Sequence, residues 1–222
     1  KDLPLIWAFD PGLVQWSNGF YQILGYAEEL RWFHYYEDSN LEINHYIEWV
    51  KSPERPWNKI RQDDLAGGQN YRHGFANMII IPDPNEALAK SRTHNKNLVQ
   101  MLRQGFAPYK PLIFTKAIGK LEAISEAKRI FKTLWMDDGT FCPEMITALD
   151  RMQAFRRKFN ATLNEFQEDY VEDINAHCAM QFKYFANYIK NPEKMAKEEE
   201  RKKDSRDSQL TPVVHKTGMT GY

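Results

Sequence analysis

The sequence predicts an α/β fold in which helices flank a mixed sheet, made of a three-strand antiparallel meander plus parallel strands. Two observations lead to this prediction. Three short apolar or aromatic segments follow one another closely within residues 5–36, and after them strand-like segments alternate with helical ones. Strands joined by short connections usually pair antiparallel, whereas strands separated by a helix usually pair parallel.

The first three predicted strands cover residues 5–10, 19–26 and 30–36. The first is an apolar run that ends at Asp10, just before a Pro-Gly turn signal. The other two are rich in aromatic residues with a roughly alternating pattern, and the gap between them is short enough for a hairpin. Together they predict the meander.

The remainder of the chain combines helical spacing with short apolar strands. Helices are predicted over residues 41–50, 98–102, 120–134, 143–159 and 172–189, and strands over residues 77–82 and 112–114. An RNase H-like core requires this order of elements: a meander first, then alternating helices and strands, and finally helices. Other α/β folds share this order, so it does not settle the fold alone.

Composition excludes several classes of function. Lys plus Arg and Asp plus Glu number 30 each, so any contact with DNA depends on a local basic patch rather than on net charge. No apolar run approaches the roughly 18 residues that a membrane span needs, and we expect no membrane partner. The two cysteines lack zinc-site spacing, and the sequence has no Gly-x-x-x-x-Gly-Lys phosphate loop of an ATPase.

Residues 1–190 are predicted to form the folded domain. Beyond them the chain becomes highly charged with few apolar residues, which predicts a flexible tail over residues 191–222. The chain begins at Lys1 rather than at a methionine, which suggests a piece of a longer protein.

Two aspartates follow predicted buried strands and are candidate metal ligands. Asp10 ends the first strand, and Asp83 follows the apolar run Ile79–Ile81. If these two strands are neighbours, both carboxylates meet at one place, and Mg²⁺ and Mn²⁺ prefer such oxygen ligands. Two such ions about 4 Å apart can activate water and stabilise the leaving oxygen in phosphodiester cleavage. The alternative is that each aspartate merely ends its strand, because Asp is common in turns.

A third carboxylate is expected from a helix that faces the same place. Four acids lie just before or at the start of the last predicted helix: Glu168, Asp169, Glu172 and Asp173. Acids at a helix start also favour the helix dipole and cap exposed amides, so a purely structural role is the alternative for each of them.

Three stretches together resemble the C-terminal nuclease domain of tailed-phage terminase large subunits. Phe9–Gly12 is like the family's strand-end Asp-x-Gly. Residues 35–46, with 81–83, are similar to its Tyr-Tyr-Glu strand, its His-Tyr helix and its Pro-His-Asp strand end. Residues 172–184 are similar to its closing pattern His-Asp-x-x-Ser-His-x-x-Asp-Ala-x-Arg-Tyr. The resemblance spans nearly all of residues 1–190.

The resemblance implies an RNase H-like endonuclease that uses two divalent ions, Mg²⁺ or Mn²⁺, to cut concatemeric phage DNA during packaging. Asp10, Asp83 and Asp173 would bind the metal, with Glu172 as the alternative to Asp173. His177 would be a catalytic proton carrier or orienting group. The implied partners are double-stranded DNA, a packaging ATPase domain, the small terminase subunit and the portal, in the cytoplasm of the infected host.

Two positions depart from the family pattern. Aligned without gaps, Met180 stands where the third metal-binding aspartate belongs, and a thioether cannot replace a carboxylate for Mg²⁺. Pro84 takes the expected place of the second acid, which puts Asp83 one position early. A catalytically degenerate module that binds DNA or docks on the portal is therefore the alternative function. A junction resolvase or transposase is a third hypothesis, against which the patterns at residues 35–37 and 177–184 argue.

Overall fold

Six strands form one mixed sheet in the computed structural model, which describes residues 4–12, 15–24, 29–58, 78–89, 96–116, 119–171 and 173–190. The strands are β1 (Ile6–Pro11), β2 (Trp16–Leu24), β3 (Glu29–Asp38), β4 (Ile79–Ile81), β5 (Leu112–Ile113) and β6 (Leu134–Met136). Their order across the sheet is β5-β4-β1-β2-β3-β6. The predicted tail over residues 191–222 lies outside the described residues, so the domain boundary stays a prediction.

The pairing directions confirm the predicted sheet. β1, β2 and β3 form an antiparallel meander, β4 pairs parallel with β1, and β5 pairs parallel with β4. β6 adds a further parallel strand beside β3 at the opposite edge. Connections through helices explain the parallel pairs, because a short hairpin can join only antiparallel strands.

Five helices and one separate hairpin complete the described part of the chain. The helices are α1 (Ile43–Lys51), α2 (Leu98–Gly105), α3 (Lys120–Phe131), α4 (Glu144–Ala154) and α5 (Ile174–Ile189), and the hairpin pairs β7 (Arg157–Asn160) with β8 (Glu165–Tyr170). A short 3-10 helix covers Pro56–Asn58. Among the described residues, no helix has both the length and the apolar character that a membrane crossing demands.

Two of the helix predictions were too long. The helix predicted over residues 120–134 ends at Phe131, and its last residue belongs to edge strand β6. The helix predicted over residues 143–159 ends at Ala154 and is followed by the hairpin. A three-residue apolar run has no period of its own, so β6 was not distinguishable from a helix end. In the hairpin, Asn160 Oδ1 accepts bonds from the next backbone amides, which starts a turn instead of a helix.

The alternation of β1 sends its side chains to two different layers. Trp7 and Phe9 belong to the core between the sheet and helices α1 and α2. Asp10 has the opposite orientation, toward α5, which packs against β1 and β2. The strand therefore delivers a carboxylate to the α5 side of the sheet, at the end of an almost fully buried segment.

Candidate active site at the ends of β1 and β4

The register between β1 and β4 brings Asp10 and Asp83 to the same edge of the sheet. Ala8 lies opposite Ile81 in this parallel pair. Asp10 and Asp83 each follow that pair by two residues, so they leave neighbouring strands at the same level. The two strands are therefore neighbours, which is the condition under which the sequence led us to expect both carboxylates at one place.

Tyr184 of α5 contacts Asp10 and lies near Asp83. Its hydroxyl donates a hydrogen bond to Asp10 Oδ1 at 3.0 Å, and the charge of Asp83 also acts on this hydroxyl. Burial and the negative charges of both aspartates raise the pKa of Tyr184 well above its ordinary value, so the hydroxyl keeps its proton. Tyr184 was not among the predicted site residues. Its spacing of seven from His177, which places both on one side of a helix, was the available signal.

His177 contacts the other oxygen of the same carboxylate. Its Nδ1 lies 2.6 Å from Asp10 Oδ2, and its side chain is 29% exposed. The backbone at Gly12 allows this approach, because a Cβ there would lie 2.3 Å from His177 Cε1. Helix α5 thus holds both oxygens of Asp10, one through His177 and one through Tyr184.

Asp83 combines a turn role with its place at the site. Its Oδ1 accepts a hydrogen bond from the backbone amide of Asn85 at 2.8 Å, as expected for an aspartate at the end of a strand. The same half-buried side chain interacts with Tyr184. The turn fixes the carboxylate beside Asp10 rather than removing it from the site.

Asp173 caps helix α5. Its Oδ1 accepts bonds from the backbone amides of Asn175 at 2.9 Å and Ala176 at 3.3 Å. This is the structural role that acids at a helix start commonly have. Its metal-binding role stays a prediction, and Glu172 lies outside the described residues.

Met180 occupies the inner side of α5 at the position where the resembling family has its third aspartate. The side chain is buried, and the Lys183 ammonium lies 2.9 Å from Met180 Sδ. Lys183 also lies 5.1 Å from the ring centroid of Tyr184. A thioether thus occupies the position on α5 at which the family pattern has its third carboxylate.

The donor set fits one hard divalent ion. Within the described ranges, no group of three or more His, Cys, Asp or Glu side chains is placed to hold a metal. Asp10 and Asp83 nevertheless follow neighbouring strands at the same level of the sheet. Mg²⁺ is commonly held by one or two carboxylates, with water and substrate phosphate as its other ligands, and these two residues match that pattern. The second ion stays a prediction.

A second tyrosine–carboxylate cluster, which we call the Glu37 cluster, lies on the same side of the sheet. Tyr35 donates its hydroxyl proton to Glu37 Oε2 at 2.7 Å and lies 2.8 Å from Ser17 Oγ. The Arg151 guanidinium of α4 bonds Glu37 Oε1 at 3.0 Å and approaches Asn175 Oδ1 of α5 at 3.4 Å. The Glu37 cluster therefore connects β2, β3, α4 and α5.

Comparison with known proteins supports the fold. No protein-family model and no curated protein matches this sequence. The large terminase of a thermophilic bacteriophage, in complex with ADP, aligns with a TM-score of 0.54 and 15% identity over 83% of this chain. A second crystal structure of that terminase aligns with a TM-score of 0.51 and 16% identity over 84% of this chain.

The chain spans about 40% of the length of this thermophilic-phage large terminase. The nuclease domain of the bacteriophage SPP1 large terminase with bound Mn aligns at a TM-score of only 0.46 and 10% identity, with 82% of this chain and 84% of that domain covered. A score that low adds nothing to the fold assignment. The chain therefore has the RNase H-like fold that its sequence predicts, in the form found in the large terminase of the thermophilic phage.

Proposed function

We propose that this chain is a divalent-metal-dependent endonuclease that cuts DNA as the nuclease part of a large terminase. The convergence of Asp10 and Asp83 at one edge of the sheet is the observation that carries the proposal. The fold likeness to the thermophilic-phage large terminase supports a packaging context. Concatemeric phage DNA in the host cytoplasm is the proposed substrate, with a packaging ATPase, the small terminase subunit and the portal as proposed partners.

The two aspartates supply fixed negative charge at a rigid strand edge. A divalent ion bound there would lower the pKa of its bound water and would stabilise the negative charge on the phosphate. Asp10 is 7% exposed, and α5 contacts both of its carboxylate oxygens. The carboxylate is therefore already ordered, and binding of DNA loses no free energy to fixing it in place. Asp83 is held by its turn to Asn85.

His177 is the proposed proton carrier. If its Nδ1 holds the proton, that nitrogen donates to Asp10 Oδ2, and Nε2 is then the basic atom of the ring. The carboxylate thus selects one tautomer, and the partly exposed ring can pass a proton between the site and solvent.

The test is nicking of supercoiled plasmid DNA in Mn²⁺ or Mg²⁺. The unaltered chain should nick the plasmid, and Asp10→Asn, which keeps the size of the side chain, should lower the rate at least about 100-fold, because a metal ligand is lost. Asp150→Asn is the matched control, since Asp150 is an exposed acid on α4. Equal nicking by the unaltered chain and Asp10→Asn would exclude this site as the source of cleavage.

A module that binds DNA or docks on the portal is the second candidate function. It is favoured by Met180, a buried thioether at the position where the family pattern has its third carboxylate. A folded chain that cuts no plasmid in either metal but still binds duplex DNA in EDTA would support this candidate. Cleavage that depends on Asp10 would exclude it.

A further inference from the structure

We infer that Tyr184 is a positioning residue, whose hydroxyl holds the Asp10 carboxylate in the orientation that a divalent ion between Asp10 and Asp83 requires. This inference rests on the proposed function. It assigns a task to a side chain that was not among the predicted site residues and that donates a hydrogen bond to Asp10.

The need for such a group follows from the charges at the sheet edge. Two carboxylates that lie close together repel each other when both are ionised. Tyr184 places a neutral donor 3.0 Å from Asp10 Oδ1, while His177 contacts the other oxygen of that carboxylate. The hydroxyl therefore fixes the orientation of the Asp10 carboxylate before an ion arrives.

The hydroxyl leaves acceptor capacity on the carboxylates. An ionised carboxylate has about four lone-pair sites on its two oxygens. Tyr184 and His177 occupy one site on each oxygen of Asp10. An ion can thus bind the remaining sites while the hydroxyl stays in place, which is how an outer group orients a metal ligand.

The tyrosine ring is itself held rigidly. Tyr184 is 7% exposed and lies on α5, whose neighbouring residues form the layer packed against β1 and β2. The Lys183 ammonium lies 5.1 Å from the ring centroid. Tyr184→Phe keeps the ring, its packing and its contact with this cation, and removes only the hydroxyl.

The experiment measures Mn²⁺ affinity directly, by the paramagnetic resonance signal of free Mn²⁺ in titrations of the full chain. Tyr184→Phe should raise the Kd for Mn²⁺ about 10–100-fold, as loss of a group that orients a metal ligand commonly does. Tyr35→Phe is the matched control, because it also removes a buried hydroxyl bonded to a carboxylate, but at Glu37. The control should change the Kd less than about threefold.

A catalytic readout adds a second criterion. At saturating Mn²⁺ the nicking rate of Tyr184→Phe should approach that of the unaltered chain, since a positioning group acts mainly through metal occupancy. Unchanged Mn²⁺ affinity would overturn the inference. Tighter binding would overturn it too, since it would mean that the hydroxyl competes with the ion.

The proposed function fails separately from the inference. If Asp10→Asn weakens Mn²⁺ binding and Tyr184→Phe does not, only the positioning role is wrong. If the unaltered chain shows no saturable Mn²⁺ binding, both are wrong, and the titration shows this before any variant is compared.

Discussion

Asp10 and Glu37 lie on the same side of one sheet, and each accepts a hydrogen bond from a buried tyrosine, yet the two sites differ in charge. Glu37 is a single carboxylate paired with the Arg151 guanidinium at 3.0 Å. Asp10 has Asp83 level with it on the neighbouring strand, and its contacts on α5 are a hydroxyl and an imidazole. The charge of Glu37 is balanced by the arginine of the protein, whereas the Asp10 site contains two acids.

The difference separates a structural network from a candidate metal site. A partly buried acid with an arginine partner has no electrostatic need for another cation, and its hydrogen bonds tie together the elements that share it. Two acids at one sheet edge keep an attraction for a cation even when hydrogen bonds satisfy each of them. Tyrosine–carboxylate contacts alone therefore do not identify an active site, and the balance of charge around them does.

The largest expected effect comes from Gly12→Ala, which disturbs the Asp10 site without altering a charge. The added Cβ would lie 2.3 Å from His177 Cε1 and 2.4 Å from the carbonyl oxygen of Gln15, so the ring must leave Asp10 or the turn must shift. The nicking rate should fall about 100-fold if His177 carries a proton in the reaction. Gly119→Ala is the control, because nothing lies within 4 Å of a Cβ at that glycine.

Plasmid nicking and the free energy of unfolding in urea should be measured together for both glycine variants. Overpacking of this kind typically lowers the free energy of unfolding by about 1–3 kcal/mol. Nicking by Gly12→Ala at the rate of the Gly119→Ala control would show that the contact between His177 and Asp10 is dispensable for cleavage.

The next effect is on stability and concerns the Glu37 cluster. Arg151→Met keeps most of the apolar stem of the side chain but leaves Glu37 without its cation, and the free energy of unfolding should fall by about 2 kcal/mol. Glu37→Gln and the double variant complete a double-mutant cycle. The free energies of unfolding of the four proteins in urea then give the interaction energy between Arg151 and Glu37. Mn²⁺ affinity should stay within about threefold of that of the unaltered chain. A loss of Mn²⁺ binding without a loss of stability would contradict the separation of the two clusters.

The sequence was sufficient for five of the six strands of the sheet and for the candidate pair of acids. Apolar runs and alternation predicted β1 to β5, and the acids after two buried strands were expected to converge if those strands were neighbours. Pro84 seemed to displace the second acid when the chain was compared with the family pattern. The β1–β4 register shows Asp83 level with Asp10, so the proline does not remove the acid from this edge.

The other half of the site depends on distances that no local pattern contains. Asp173 is within the predicted acidic cluster, yet its carboxylate faces the first amides of α5, because an oxygen at a helix start binds those amides readily. Tyr184 closes the stretch that resembles the family pattern, but its contact with Asp10 follows only from the way α5 packs against β1. Likewise, β6 depends on its pairing partner β3, which lies far away in the chain. The β7–β8 hairpin depends on the turn at Asn160.

The smallest expected effect tests how tightly the Glu37 cluster is sealed from solvent. Cys178 of α5 is buried beside Tyr35, and burial raises the pKa of its thiol from the ordinary value of 9.0 to about 12. A folded-state pKa above the unfolded one gives stability that is present below about pH 9 and is lost as the pH rises toward 12, because only the unfolded chain releases the proton.

Between pH 8 and pH 10 this one thiol should lower the free energy of unfolding by about 1 kcal/mol. The free energy of unfolding in urea is measured at both pH values for the unaltered chain and for Cys178→Ala. Its fall from pH 8 to pH 10 should be about 1 kcal/mol smaller in Cys178→Ala, whatever the stability of that variant at pH 8. An equal loss in both proteins would mean that the thiol ionises as easily in the folded chain as in the unfolded one. Water would then reach Cys178 on the inner side of α5, next to the Glu37 cluster, which the full burial of this residue in the fold does not allow.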